Sequence, residues 1–231
     1  MRPRRIPLIL VLCATGCFPK CKSSIRSSSV EATDIQEFYR IDLNAERDTT
    51  YVRAWFAALY PDDPSRGYRN VVLVSPSRIE HDGIPLRIRD EFEPDAYYDG
   101  DDSTYVASHV WRWTVNEQIS HSYRVDMPRH RFLEVPGRIS RSKPIAIRFE
   151  PPVQEDEAVA FYVTNDGRTV LIGRESREGA DRFVPDFEDA ERLVVGDQEL
   201  WAVREIRRKP RKRTSLWADA ISEPVPIFVD E

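Results

Sequence analysis

The sequence lacks the short motifs that identify the commonest families of enzymes. The glycine patterns of phosphate-binding and dinucleotide-binding loops are absent, and glycine itself is scarce, with 9 residues in 231. The nearest approach to the G-x-S-x-G nucleophile pattern, residues 173–179, has the wrong spacing. No pair of carboxylates stands in a pattern that predicts a glycosidase. These absences favour a protein that is not an enzyme and that has no cofactor.

Histidine is also scarce, and its spacing does not favour metal binding. The chain has only His81, His109, His121 and His130, and no two of them form an H-x-H or H-x-x-x-H pair. His109 and His121 fall on one face of a predicted hairpin, but about 13 Å apart, too far to share a metal ion. We therefore expect no zinc site.

Long hydrophobic runs and an excess of positive charge are missing as well. The longest apolar stretch, counted generously as residues 6–16, has 11 residues, whereas a helix that spans a bilayer needs about 20. The chain carries 34 basic and 39 acidic residues, for a net charge of −5. A negative balance argues against nucleic acid as the main partner.

What the N-terminus does contain is the layout of a secretory signal. Arg2, Arg4 and Arg5 give a positive start, an apolar stretch follows, and small residues lead to a cysteine. Signal peptidases prefer small residues at the first and third positions before the cut, and Gly16 and Ala14 occupy those positions ahead of Cys17. We expect the chain to be exported and residues 1–16 to be removed.

The segment from Ala14 to Cys17 resembles the lipobox of bacterial lipoproteins, in which the cysteine receives lipid and becomes the new N-terminus. The usual box has leucine where this chain has Ala14. The resemblance implies a lipid anchor on Cys17, which would leave Cys21 without a partner for a disulfide within the chain. Phe18 differs from the aspartate that retains some lipoproteins at the inner membrane, so the outer membrane of the bacterial envelope is favoured. The alternative is a secreted protein with a coincidental cysteine.

The remainder of the chain has the pattern of an all-β protein. Residues 17–33 are rich in serine and suggest a flexible tether, and beyond them short strands alternate with turns. Helical turns are expected only at residues 187–195 and 35–39. This layout predicts antiparallel β-sandwiches, and from residue 128 it resembles immunoglobulin-like and fibronectin-type modules. We expect two sandwiches, residues 34–127 and 128–231; one larger sandwich is the alternative.

The clearest strand pattern is a hairpin over residues 105–127. Its odd positions are mostly apolar or aromatic and its even positions polar. A three-residue loop, residues 116–118, keeps the odd positions of both strands on one face, since a slip of one residue reverses every side chain. This register sets His121 opposite Trp113 and His109 opposite Val125.

A second hairpin is predicted over residues 158–174. Its turn is Asp166-Gly167, a dipeptide that tolerates the positive φ angles of a type I′ turn. The resulting register pairs Val163 with Val170 and Phe161 with Ile172.

An acidic stretch, residues 90–103, provides the weak candidates for a calcium site. Asp99, Asp101 and Asp102 surround Gly100 and could offer several oxygen ligands from one loop. The helix-loop-helix calcium motif is absent. A solvated loop without metal is the alternative.

A basic run at residues 204–213 is the strongest candidate for a binding surface. Lys or Arg fills 7 of its 10 positions, which suits an anionic lipid, an anionic polysaccharide or an acidic envelope protein. The alternative is a charged edge strand that discourages aggregation. The candidates are Arg204, Arg207, Arg208, Lys209, Arg211, Lys212 and Arg213.

Besides a module stabilised by calcium, two functions remain open at this level. The first is a membrane-anchored envelope lipoprotein that acts as a non-catalytic binding or structural module. The second is an envelope hydrolase that acts on cell-wall or sugar polymers, with Tyr97, Tyr98 and Trp217 as carbohydrate platforms. A buried carboxylate with a shifted pKa in a cleft would favour the hydrolase.

Overall fold

The computed structural model describes residues 24–60, 67–89, 97–102, 104–115, 118–142 and 146–231. Within these ranges nearly all regular structure is β, with one four-residue α-helix and two short 3-10 turns. The strands are Ser24–Arg26 (β1), Gln36–Asn44 (β2), Thr49–Leu59 (β3), Tyr68–Val72 (β4), Arg78–His81 (β5), Ile84–Pro85 (β6), Arg87–Arg89 (β7), Tyr97–Asp102 (β8), Ser108–Val115 (β9), Gln118–Asp126 (β10), Arg131–Glu134 (β11), Arg138–Ser140 (β12), Ile147–Glu150 (β13), Glu157–Asn165 (β14), Arg168–Glu175 (β15), Arg182–Phe183 (β16), Gly196–Arg208 (β17), Thr214–Ile221 (β18) and Val225–Asp230 (β19). The helix is Phe187–Ala190 (α1), and the 3-10 turns are Ser27–Ser29 and Ala32–Asp34.

One large sheet organises the molecule. Its path runs β1-β4-β3-β2-β18-β17-β14-β15, with β8 and β7 added beside β3, and β19 and β12 added beside β17. A four-stranded sheet, β10-β9-β5-β6, and a three-stranded sheet, β11-β13-β16, complete the described fold. The all-β, sandwich-like architecture expected from the sequence is confirmed.

The apolar side chains form two cores. The first core joins β2, β3, β9 and β10, and its largest fully buried side chains include Trp111, Trp113 and Tyr39. The second core joins β13, β14, β17 and β19, and it is built around Phe149 and Phe161. In both, alternating apolar residues of facing strands supply the buried side chains, as expected for sheets that pack face to face.

The large sheet is continuous across both cores because β2 pairs with β18, and β18 with β17. Ile206 of β17 and Leu216 of β18 belong to the first core, while Leu200 of β17 belongs to the second. The boundary at residue 128 stays a prediction, but residues 34–127 do not complete the first core without β17 and β18. The β2–β18 pair is parallel, as are β1–β4 and β12–β19, so the pairing is not purely antiparallel.

The first predicted hairpin has the expected register and a different turn. His121 pairs with Trp113 and Val125 with His109, as predicted, but β9 ends at Val115 and β10 begins at Gln118. The loop therefore has two residues rather than three. A bulge between Ile119 and His121 adds the missing residue, because one extra residue in a strand restores the facing of the side chains beyond it.

The second predicted hairpin has the expected turn, but its pairing register shifts by one residue further from the turn. Asp166 and Gly167 have φ angles of 45° and 84°, as a type I′ turn requires, and Val163 pairs with Val170. The predicted pairing of Phe161 with Ile172 is wrong. A bulge between Phe161 and Tyr162, where Ile172 of β15 is the extra residue, places Phe161 opposite Gly173 instead.

Two local expectations near the N-terminus are wrong. Residues 35–39 are not helical but lie mainly in β2, where Tyr39, Ile41 and Leu43 are buried at alternate positions. The predicted tether is structured from Ser24 onward, since β1 pairs with β4 and the Ser27 hydroxyl accepts a hydrogen bond from the Val74 amide at 3.0 Å. Residues 1–23, including Cys17 and the rest of the tether, lie outside the described residues. No helix in the described part of the chain is long and apolar enough to cross a bilayer.

Candidate functional site

The candidate site is the turn between β17 and β18, which we call the basic tip and define as residues 207–213. The basic run does not cap an edge strand, because β17 pairs on both sides, with β14 and with β18. Strand pairing ends at Arg208 and resumes at Thr214, and the Thr214 amide donates to the Arg211 carbonyl at 3.1 Å to close the turn. Residues 209–213 therefore lie outside the regular strand pairing.

Arg204 does not belong to this surface, so its assignment as a binding residue is wrong. Its side chain is fully buried and forms an ion pair with Glu157. It also donates to the backbone carbonyls of Pro151 and Pro152. Burial lowers the pKa of Arg204, while the Glu157 carboxylate opposes that shift. Arg204 is thus a structural cation of the second core.

Three other predicted residues reach the surface but are bonded within the molecule. Arg207 lies 2.6 Å from an Asp219 carboxylate oxygen, and Arg213 donates to Asp34 at 2.8 Å. Arg208 lies 3.6 Å from Asp156. Their charges are therefore partly compensated before any partner arrives.

Lys209, Arg211 and Lys212 remain as the open charges of the basic tip. All three are exposed, and no ion pair to a described carboxylate is found for any of them. Three exposed cations on one short turn form a local positive site on a chain whose net charge is negative. Such a site attracts anionic groups.

A shallow groove of about 320 Å³ runs beside the basic tip. Tyr123 and Arg124 of β10 form one side of it, and Arg208, Lys209 and Leu216 form the other. Burial raises the pKa of Tyr123 to about 12, so this phenol stays neutral at physiological pH. Asp156, the ion-pair partner of Arg208, also lines the groove, so the groove combines cations and apolar surface with one carboxylate.

A buried polar cluster lies below the tip and was not anticipated from the sequence. Glu37 is 2% exposed, its carboxylate accepts a hydrogen bond from the Tyr39 hydroxyl at 2.7 Å, and it contacts Nδ1 of His121. Burial raises the pKa of Glu37, and the bonds from Tyr39 and His121 oppose the rise. The Glu37 amide donates to the Arg213 carbonyl at 2.9 Å, which ties the cluster to the tip. Glu37 does not line the groove.

The sheet places the start of β1 at the same end as the basic tip. β1, β2 and β18 run in one direction, because β1 and β4 are parallel, β4 and β2 both pair antiparallel with β3, and β2 and β18 are parallel. Ser24 and Thr214 lie about one rung apart, separated by four strand spacings, or about 20 Å. The connecting rungs are Ser24–Asn70, Asn70–Ala57, Ala57–Gln36 and Glu37–Thr214.

The structure does not bring the calcium candidates together on a loop. Asp99, Asp101 and Asp102 lie in β8, which pairs with β3. The Asp99 carboxylate accepts a hydrogen bond from Arg89 at 3.0 Å. The expected loop geometry is therefore wrong, and Asp99 already has a cationic partner.

The proposed aromatic platforms belong to the sheet. Tyr98 is buried, and its hydroxyl accepts a hydrogen bond from the Leu73 amide at 2.6 Å. The guanidinium of Arg53 lies 4.4 Å from the centre of the Tyr97 ring. Trp217 packs against Phe38 and Trp55, with ring centroids 6.3 and 6.1 Å away. These contacts account for the three rings as parts of the fold.

Comparison with known proteins adds little to this site. No family model and no curated protein matches the chain. Among solved structures it is similar to one described as "Structural insight into host cell surface retention of a 1.5-MDa bacterial ice-binding adhesin". The match has 9% sequence identity and a TM-score of 0.22, and it covers 85% of this chain and 64% of the other. At that level of likeness the comparison carries no functional information.

Proposed function

We propose that this protein is a lipid-anchored, non-catalytic binding module of the bacterial envelope, and that its basic tip rests on anionic headgroups of the membrane that holds it. The observation that carries the proposal is the exposure of Lys209, Arg211 and Lys212, with no ion pair to a carboxylate in the described part of the chain, at the end of the sheet where β1 begins.

The distance from the proposed anchor supports this orientation. Seven residue steps separate Cys17 from Ser24, and a fully extended chain covers about 24 Å over that length. A lipid on Cys17 would thus keep the start of β1 close to the membrane, and the basic tip lies at that same end. The outer membrane remains the favoured location, on the identity of Phe18.

The three open cations of the basic tip can contribute measurably to the free energy of membrane binding. Each basic residue near an anionic surface contributes about 1 kcal/mol, so the three open cations together supply about 3 kcal/mol at moderate salt. A single acyl chain binds membranes only marginally and needs a second signal. The basic tip would supply that signal or orient a more strongly anchored protein.

The proposal is tested by cosedimentation of the unlipidated protein with vesicles that contain phosphatidylglycerol or only phosphatidylcholine. We expect binding to the anionic vesicles alone, and a loss of about tenfold or more in a K209A/R211A/K212A variant. The matched control is R87A/R168A/R182A, which removes the same charge from exposed positions on other strands and should bind like the wild type.

Two results would overturn the proposal. One is equal loss in both triple variants, which would reduce the effect to net charge. The other is retention of vesicle binding by the K209A/R211A/K212A variant. Tight binding of a soluble anionic polysaccharide, without binding to vesicles, would assign the basic tip to a different partner.

An envelope hydrolase is the second candidate, and Glu37 is the observation that favours it. A buried carboxylate with a raised pKa beside an imidazole is an arrangement that general acids use. The test is release of soluble fragments from purified cell wall by the wild type and by E37Q. Release that disappears in E37Q would favour the hydrolase; no release by the wild type would remove it.

A further inference from the structure

A second polar cluster, distant in sequence from the basic tip, joins His81, Asp82 and His109. The two histidines are 28 residues apart, yet Nε2 of His81 lies 3.0 Å from Nδ1 of His109. One carboxylate oxygen of Asp82, Oδ2, lies 3.4 Å from the same nitrogen of His81 and 3.7 Å from the same nitrogen of His109. Three potential ligand atoms therefore converge on one point.

Strand pairing and a tight turn produce this convergence. β5 pairs with β9, and His81 is the last residue of β5. Asp82 and Gly83 then turn the chain into β6 with φ angles of 50° and 80°, which Asp and Gly adopt more readily than other residues. The turn directs the Asp82 side chain back over β9, where His109 lies.

Asp82 is held in place by two bonds to Val110 of β9. The Asp82 amide donates to the Val110 carbonyl at 2.8 Å, and the Val110 amide donates to Oδ1 of Asp82 at 2.6 Å. This leaves Oδ2 directed at the two imidazoles. A hydrogen bond that fixes the second oxygen of a carboxylate is the kind of outer contact that orients metal ligands in proteins.

The distances between the three atoms match those of a metal site. Zinc binds imidazole nitrogen and carboxylate oxygen at about 2.0–2.2 Å, so adjacent ligands of a tetrahedral ion lie about 3.3–3.6 Å apart. The observed separations of 3.0, 3.4 and 3.7 Å bracket this value. All ligand atoms of the cluster lie within 4.8 Å of one another.

The cluster is enclosed on one side and open on the other. The side chain of His109 is fully buried, whereas those of His81 and Asp82 are 12% and 33% exposed. The rings of His81 and His109 stack at 5.1 Å, and Trp111 packs 4.8 Å from His81. An ion could enter past the turn and would keep one coordination position for water or for a group from a partner.

We propose that His81, Asp82 and His109 bind a divalent transition-metal ion of the zinc class. Two imidazoles and one carboxylate suit zinc, cobalt or copper better than calcium or magnesium, which require more oxygen ligands. The three ligands leave the fourth tetrahedral position open. The chain spacing did not predict this site, because His81 and His109 come together only through the β5–β9 pairing.

The site is tested on the full-length untagged chain, stripped of metal and with its cysteines alkylated, because thiolates also bind zinc. Titration calorimetry with zinc should show one saturable site per chain. Cobalt should give the intense visible absorption of a four-coordinate ion. Copper should quench tryptophan fluorescence, since Trp111 lies beside the ligands.

The decisive variants are D82N and H81Q. Asn tolerates the positive φ of residue 82 and keeps an oxygen for the Val110 amide, so D82N should fold while losing the carboxylate. Each variant should weaken zinc binding by about tenfold or more. H121Q is the matched control, because His121 lies on the partner strand β10 and should leave zinc affinity unchanged.

The proposal would be overturned if the wild type showed no saturable zinc binding. It would also be overturned if D82N and H81Q bound zinc as tightly as the wild type. An equal loss of affinity in H121Q would overturn it as well. In any of these cases the cluster is only a hydrogen-bonded contact between strands. The proposed membrane role is independent of this result, since the vesicle assay uses neither zinc nor these residues.

Discussion

In the first core, the buried carboxylate of Glu37 has the Tyr39 hydroxyl and the His121 imidazole as partners. In the second core, His130 stacks on Phe149 at 5.3 Å, and within the described residues neither of its ring nitrogens has a hydrogen-bond partner. Burial raises the pKa of Glu37 and lowers that of His130 to about 3. Both groups are thus favoured in their neutral forms, and the two cores should respond to pH in opposite directions.

The second core also contains the most completely buried ion pair of the described residues, that of Arg204 and Glu157. Both side chains are at most 2% exposed. A buried charge is tolerated only while its partner and its hydrogen bonds remain. The difference between the cores is that the buried carboxylate of the first contacts a partly exposed imidazole, whereas in the second both members of the ion pair are enclosed.

The largest expected effect comes from breaking the buried ion pair. E157A should lower the free energy of unfolding by about 3–5 kcal/mol, because it leaves Arg204 buried without its counter-charge. Urea denaturation measures the change as a shift in midpoint. The control E155A alters an exposed carboxylate two residues earlier and should stay within about 0.5 kcal/mol of the wild type. Equal stability of E157A and wild type would contradict the role given to this pair.

The next effect is acid sensitivity through His130. Because its folded pKa lies near 3 and its ordinary value is 6.5, the unfolded chain binds more protons between those values. Stability should therefore fall as pH drops below 6.5, by about 1.4 kcal/mol for each pH unit from this residue. H130L should remove that part of the slope, as measured by denaturation at several pH values.

The F132L variant is the control for the His130 prediction. Phe132 packs on the same ring with centroids 5.1 Å apart but carries no proton. F132L should lower stability at every pH and keep the slope of the wild type. An H130L variant with an unchanged slope would show that the pKa of His130 is the same in the folded and the unfolded chain.

The smallest effect is expected in the first core. At about pH 4, E37Q should lower stability by about 1–2 kcal/mol, since it weakens the contacts with Tyr39 and His121. The pKa of Glu37 is raised above 4.5, so its contribution is present below pH 4.5 and is lost as pH rises through the folded pKa. E37Q should remove this part of the pH profile, while E31Q, at an exposed carboxylate, should not. A profile that E37Q leaves unaltered would contradict the opposite behaviour of the two cores.

The sequence predicted those parts of the fold that depend on residues close together in the chain, such as strand alternation and tight turns. The alternation around Trp111 and Trp113 set the register of β9 and β10, and Asp166-Gly167 marked a turn. Bulges escaped prediction because an inserted residue changes neither the alternation on either side nor the composition of the turn. The adjacent aromatic residues at the start of β2, Phe38 and Tyr39, obscured the alternation that continues through Ile41 and Leu43.

The candidate sites depended on partners that are distant in the chain. Arg204 and Lys209 belong to one basic run, yet only the fold reveals that Glu157 lies beside Arg204, 47 residues earlier. The same holds for His81 with His109 and for Glu37 with His121, 28 and 84 residues apart. Residue type alone indicated that the basic run was unusual; strand pairing decided which of its members could meet a partner.

The parallel pairing of β2 with β18 has a consequence for how the molecule is made. A ribosome releases residue 36 long before residue 214, so the edge of β2 that pairs with β18 stays open until β18 has been synthesised. Exposed edges invite pairing with other chains, and contacts between remote segments form slowly. A chain truncated before Thr214 would leave the edge of β2 unpaired, so the loss of β18 would act on one of the earliest strands as well as on the later ones.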